Sequence, residues 1–261
     1  MNAALRVVVY TLLAITAVAA HAERNSIQRV AAFGKLPDWS GVWERFNIGP
    51  SDAPSDPKEI AQYEAAYREL RLPYNAEWQS KHDATVQHRK QSHQAPQARC
   101  RPLGFPQAMI FPSDMIQFIV VPEETTLLFY SGGARHIATD GRGHPPADER
   151  WLTPWGDSVG HWEGEVLVVD TVASNAPIMS YDGPAVLSEQ AHVIERIRAL
   201  DTNTLENQMT ISDTVALANP WVLTLRYHRV PGMAHILDSD CAENERNPVV
   251  EGKYTIAPPK N

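Results

Sequence analysis

MIQFIVVPEETTLLFYSGGARHIAT, residues 115–139, decides the fold. Residues 115–121 and 125–130 are rich in β-branched and aromatic side chains, and Pro122-Glu123-Glu124 separates them. Ser131-Gly132-Gly133 then turns the chain into a third run, 135–139. Short apolar runs bounded by proline, glycine and acidic residues are hairpin punctuation. The same grammar continues toward the C-terminus. Strands fit 158–163, 166–172, 191–200, 205–212 and 221–229, with Gly164 as a turn and a longer loop around Pro145-Pro146. Eight or nine strands in sequence-adjacent antiparallel order must curl to bury one face and protect their edges. The expectation is a mainly β protein, an antiparallel up-and-down barrel of calycin or lipocalin type, with a short N-terminal helical segment. A β-sandwich would also satisfy the pattern, but the spacing favours the barrel.

The N-terminal third reads differently. Arg6, the apolar run from Val7 to about Ala20 and the small-x-small site Ala20-His21-Ala22 have the form of a secretory signal over residues 1–22. The run is shorter than the ~20 residues that a bilayer core requires, which weighs against an uncleaved anchor. The expected mature chain starts at Glu23 and is periplasmic or secreted. Residues 38–44, Asp-Trp-Ser-Gly-Val-Trp-Glu, open a strand between aromatic anchors. Asp56, Pro57 and Glu59 form a capping signal for an amphipathic helix carrying Ile60, Tyr63, Tyr67 and Leu70, which Pro73 ends. Residues 75–97 are polar and read as a solvated helix around Trp78 or a loose arm. The expected layout is therefore an N-terminal strand and helical arm over 23–98 and a barrel over 99–261, with the strand at 39–44 joining the barrel.

Loss of Arg6 moves the formal charge from −8 to −9, leaving 22 Lys and Arg against 31 Asp and Glu. An acidic surface repels phosphate polymers and anionic lipid, so no nucleic-acid partner is expected. No later segment is apolar enough to span a membrane. Cys100 and Cys241 are the two cysteines. In an oxidising compartment an even pair reads first as a disulfide, here joining the two ends of the β-region.

Alternation identifies what the barrel interior holds, because residues two apart share a face. Glu195 shares its side with Ile197 and Ala199, whereas His192, Ile194, Arg196 and Arg198 take the other. A carboxylate on the apolar face needs a partner, and Arg135, on the face of Ile137 and Thr139, is the candidate. The pair is either a structural lock or a ligand-orienting group. Trp221, Leu223, Leu225 and Tyr227 form another inward stripe, either core or the wall of an apolar cavity.

Between Arg135 and Asp170 ionisable groups are dense. In Thr139-Asp140-Gly141-Arg142-Gly143-His144-Pro145 the glycines permit unusual backbone angles, and Asp140 can bond its own loop amides. His144 has proton-transfer chemistry near neutral pH. The candidate catalytic groups are His144, Glu195 and Asp140, with Arg135, Arg142, His161, Trp162, Trp221 and Tyr227 contacting substrate. Asp140 and His144 with His136 or His161 would suit a divalent metal, but the chain lacks H-E-x-x-H and compact H-x-H or H-x-D pairs. No metal or cofactor is expected.

Five blocks, Cys100-Arg101-Pro102-Leu103-Gly104-Phe105-Pro106, residues 139–145, residues 160–171 (GHWEGEVLVVDT), residues 192–198 (HVIERIR) and Cys241-Ala242-Glu243-Asn244, resemble the signature blocks of a large group of exported bacterial proteins. The resemblance spans residues 100–244 and implies a shared fold without an attached activity. His161 departs from that group's pattern. Gly41-Val42-Trp43 resembles the opening of lipocalin-type barrels, a fold analogy only. The functional expectation is a protein acting on a small hydrophobic or aromatic molecule. It would be either an acid–base enzyme (isomerase, lyase or hydrolase) with its pocket inside the barrel, or a noncatalytic carrier.

Overall fold

The computed structural model describes residues 31–45, 71–92, 103–110, 115–130, 132–176, 178–180, 183–236, 249–250 and 253–254. The expected signal sequence, the helix over 56–70 and both cysteines of the expected disulfide, Cys100 and Cys241, lie outside them. In chain order the elements are β1 (Val42–Arg45), α1 (Ala76–Ser92), α2 (Gln107–Ile110), β2 (Ile116–Val120), β3 (Glu124–Phe129), β4 (Ala134–Ala138), β5 (Asp157–Glu163), β6 (Val166–Val172), β7 (Ile178–Ser180), β8 (Gly183–Ala185), β9 (His192–Asp201), β10 (Thr204–Ser212), β11 (Trp221–Arg229), β12 (Val249–Val250) and β13 (Lys253–Tyr254). A single 3₁₀ turn, Ala147–Glu149, interrupts the connection between β4 and β5.

Nine strands close a barrel in the order β1-β11-β10-β9-β6-β5-β4-β3-β2, with β2 pairing back onto β1. Closure leaves no edge exposed, as the number of short amphipathic strands demands. The expectation of a purely antiparallel up-and-down barrel is corrected at one seam. β4 and β5 run parallel, held by two registered pairs, Ile137↔Ser158 and Ala138↔Val159. A parallel neighbour requires a crossover rather than a hairpin. Residues 139–156, read from sequence as a loop, are that crossover. The β7–β8 hairpin forms a separate small sheet and leaves β6 to pair with β9.

Period-2 alternation holds along the longest strands. In β11 Trp221, Leu223, Leu225 and Tyr227 are buried, and in β9 Val193, Glu195 and Ile197 are. The interior also receives a segment that no strand supplies. Phe105, Met109 and Ile110 are fully buried, and Met109 O accepts a 3.1 Å hydrogen bond from the Tyr227 hydroxyl. Gly104 admits this segment. It has φ +73°, and a Cβ there would lie 2.4 Å from Pro154 O, a backbone contact that only glycine permits. At one side of the barrel Trp43 packs under Arg229, whose guanidinium carbon is 4.2 Å from the ring centroid, while Trp39 meets both Phe118 and Trp162. The polar stretch after Pro73 is helical as α1, and His82 is buried in it against Tyr74.

On the outer face Glu206 binds strands β9, β10 and β11 together. Its carboxylate accepts from Arg198 Nη2 at 2.8 Å and from Arg226 Nη2 at 3.0 Å, and both arginines are its registered cross-strand partners. The Arg198 hydrogen bond, opposed by burial and aided by Arg226, holds the Glu206 carboxyl below its ordinary value of 4.5. A depressed carboxyl contributes stability above its unfolded value that is lost as pH falls through the folded one. Urea midpoints measured across pH should therefore drop below about pH 4.5, and Glu206→Gln should flatten that acid limb. An unchanged limb in the variant would show that Glu206 contributes nothing to acid sensitivity.

Candidate functional site

The sequence-predicted residues separate onto two sides of the barrel wall. Inside, Arg135 on β4 and Glu195 on β9 form an ion pair with no solvent exposure, joined through Arg135 Nη2 and Glu195 Oε2. Arg135 Nη2 also donates to Thr171 Oγ1 on β6 at 3.0 Å, and Nε donates to Ser158 Oγ on β5 at 3.4 Å. Ser158 and Thr171 are registered partners whose hydroxyls lie 2.9 Å apart. Asn207 Nδ2 on β10 donates to Glu195 Oε1 at 2.7 Å. The guanidinium carbon lies 3.7 Å from the Phe105 ring centroid, so π electrons meet one face of the cation. Both charges are thus compensated on several sides, which is the condition for a buried pair to persist. Burial raises the Tyr227 phenol above its ordinary value, keeping it the neutral donor to Met109 O. Trp221 and Trp162 contribute to the packed wall.

Outside, the crossover brings His144 onto the face opposite the ion pair. Asp157 begins β5, Asp170 lies on β6 and His192 begins β9. Their buried sequence neighbours Ser158, Thr171 and Val193 point inward, so these three point out. His144 Nδ1 is 3.3 Å from Asp157 Oδ1, and Asp157 also accepts from Arg142 Nη1 at 3.1 and 3.2 Å. The Asp157 carboxylate accepts, so in this contact Nδ1 is the donor. Nε2 is buried without a hydrogen bond. Asp170 Oδ1 is 3.1 Å away but outside bonding alignment, and it instead engages His192 Nε2 at 2.6 Å. His144, Asp170 and His192 line a cleft of about 560 Å³, whose wall also includes Arg150, Leu152 and Glu189.

The other predicted positions fall elsewhere. Asp140 is exposed and accepts from its own loop amide at Arg142, 3.0 Å away, the local role its glycine-rich setting suggests. His161 is exposed and 3.3 Å from Glu163, and His136 lies 2.7 Å from Glu124 on the outer surface. The set of Asp140, His144 and His136 or His161 is therefore not assembled. Among the described residues no group of three or more His, Cys, Asp or Glu is arranged to hold a metal ion. Nor do Arg135, His144 and Glu195 converge on one cavity, because the sheet itself separates His144 from the pair. His192 and Arg150 in the cleft wall, and Asp157 behind His144, were not singled out from sequence. Cross-strand registers place two of them, and pairings between strands distant in sequence leave no local signal. The sequence matches no family model, no curated protein and no solved structure.

The inner pair yields a stability prediction. Arg135→Met and Glu195→Leu should each cost about 3–5 kcal/mol, because each strands a buried charge. The double variant should lose much less than the sum of the two, as measured by urea unfolding. Additive losses would show that the two charges are not coupled.

Proposed function

We propose that this chain acts on a small hydrophobic or aromatic molecule by acid–base chemistry, with His144 as the proton-transferring group in the outer cleft. One observation carries the reading: a histidine held to Asp157 through Nδ1, with no hydrogen bond at its buried Nε2, lines a cleft of about 560 Å³, within the size range of small-molecule sites. In the proposed step Nε2 takes a proton from a weakly acidic O–H or C–H of the substrate. The resulting imidazolium is held between Asp157 and Asp170, and Arg150 faces the negative charge left behind. Returning the proton to another atom gives an isomerisation, and expelling a leaving group gives an elimination. Glu195 and Arg135 have no place in this chemistry and serve the barrel instead.

The closed barrel with Gly41-Val42-Trp43 on its first strand supports a calycin-like assignment despite the parallel seam. The signal-like N-terminus supports export to the periplasm or beyond. A carrier with the same cleft is the second reading, favoured by the apolar surface of Leu152 and Val172 in its wall.

The two separate by isotope exchange. Protein incubated in D₂O with a panel of cyclic ketones and hydroxy-aromatics should catalyse deuterium incorporation, followed by NMR. His144→Ala should reduce the rate by about 10²–10⁴-fold while the cooperative unfolding transition is retained. Binding of the same compounds without exchange would establish the carrier, and exchange indifferent to His144→Ala would remove His144 from the chemistry.

A further inference from the structure

Beside the His144 cleft lies a second cavity of about 220 Å³, and Leu152, Glu189 and Ala191 line both. Asp170 on the outer face of β6 lines the first cavity, and its neighbour Thr171, on the inner face, lines the second. The three shared residues make the cavities adjacent at that end of β6.

The second cavity differs in chemistry from the first. Its apolar wall includes Pro106, Ala176, Val186, Leu187 and Val193. The hydroxyls that also reach it are already engaged: Thr171 with Arg135, Ser174 with Phe105 O, and Ser188 with Asp213 at 2.8 Å. With the hydroxyls bonded, the polar groups left in this wall are Asn175 and Glu189, and the rest of the surface on offer to a ligand is apolar. Val186 is 55% exposed and Leu152 39%, so apolar area remains uncovered where the cavities meet solvent, and covering it is favourable. The head end selects in the opposite sense. His144 Nε2 has no hydrogen-bond partner, and Asp170 and Glu189 outnumber Arg150 in the wall, which disfavours an anionic group.

We propose that the two cavities form one amphipathic site for a neutral, weakly acidic hydroxyl compound. The hydroxyl is seated at His144, and a single ring or short alkyl tail lies against Leu152, Val186 and Leu187. This rests on His144 being the proton acceptor of the cleft, and it adds the ligand's class and size. The smaller chamber holds only about 220 Å³, so extended lipids and steroid-sized ring systems lie outside the class.

The probe is a series of para-alkylphenols of increasing chain length, titrated calorimetrically into the full exported chain. Affinity should rise about fourfold per added methylene and then level off once the chamber is filled. Val186→Trp should abolish the gain per methylene while leaving phenol itself unaffected. Leu187→Ala, which enlarges the chamber, should move the plateau to longer chains. His144→Ala should weaken every member by the same factor. Affinity independent of chain length, or a rise unaltered by both chamber variants, with binding still dependent on His144, would overturn the amphipathic site and leave the reading of the cleft intact. A chain-length series unaffected by His144→Ala would overturn the head assignment and the reading it rests on. Absence of binding by every phenol would overturn the proposed ligand class, whereas the isotope exchange tests His144 independently.

Discussion

The Arg135–Glu195 pair is the interaction on which the barrel depends. Its network passes from Arg135 on β4 to Ser158 on β5, Thr171 on β6, Glu195 on β9 and Asn207 on β10, so one cation organises five neighbouring strands. Those strands include a thin seam, where β4 and β5 share two registered pairs while β5 and β6 share seven. A one-residue slip at that seam would turn Ser158 outward and leave a guanidinium in the interior without its partners. The penalty for an uncompensated buried charge, several kcal/mol, far exceeds what a pair of strand hydrogen bonds contributes. The pair is therefore a register device more than a source of net stability, since a hydrophobic replacement of both charges is often no less stable.

The same seam creates the outer cleft. Parallel strands oblige the chain to return along the barrel before pairing, and residues 139–156 make that return. Their path lays His144 across β5 and β6, where Asp157 and Asp170 sit two positions apart in register on the outer face. Asp157 is opposite Val172, so Asp170 is its diagonal neighbour, close enough for one imidazole to reach both. His192 enters from β9 by the same diagonal relation, since Thr171 pairs with Val193. A strictly antiparallel meander would have joined β4 to β5 by a short turn and left those carboxylates facing solvent without a histidine between them. Topology, not local sequence, therefore assembles the site.

This explains which features were legible in the sequence. Alternation is local, so the inward positions of Glu195, Trp221 and Tyr227 and the partnership of Glu195 with Arg135 could be read from face-sharing. Asp140 was legible as a loop residue because its amide partner is two positions away. The parallel seam was not, because a glycine- and proline-rich crossover carries the same punctuation as a hairpin loop. The plug formed by Phe105, Met109 and Ile110 escaped as well. A helix of four residues is too short to show a period, and nothing local states that the segment Gln107-Ala108-Met109-Ile110 will be buried. His82 sits in a stretch whose polarity reads as solvated, yet Tyr74 covers it through a contact that depends on how α1 docks.

The division of charge between the two faces also bears on where proton chemistry can occur. Inside, every approach to Glu195 is occupied by Arg135 and Asn207, and Phe105, Met109 and Ile110 fill the adjoining space. Neither Arg135 nor Glu195 has any exposed side-chain surface, so a molecule arriving from solvent meets neither charge. Outside, the side chains of His144, Asp157 and Asp170 retain 13%, 19% and 36% of their exposure. The His144 side chain lines the outer cleft, while its Nε2 is buried 3.1 Å from Asp170 Oδ1. An imidazolium there would lie between two carboxylates that offset its charge. The fold thus places its fixed charges where water is excluded and a histidine–carboxylate cluster at the wall of a cleft.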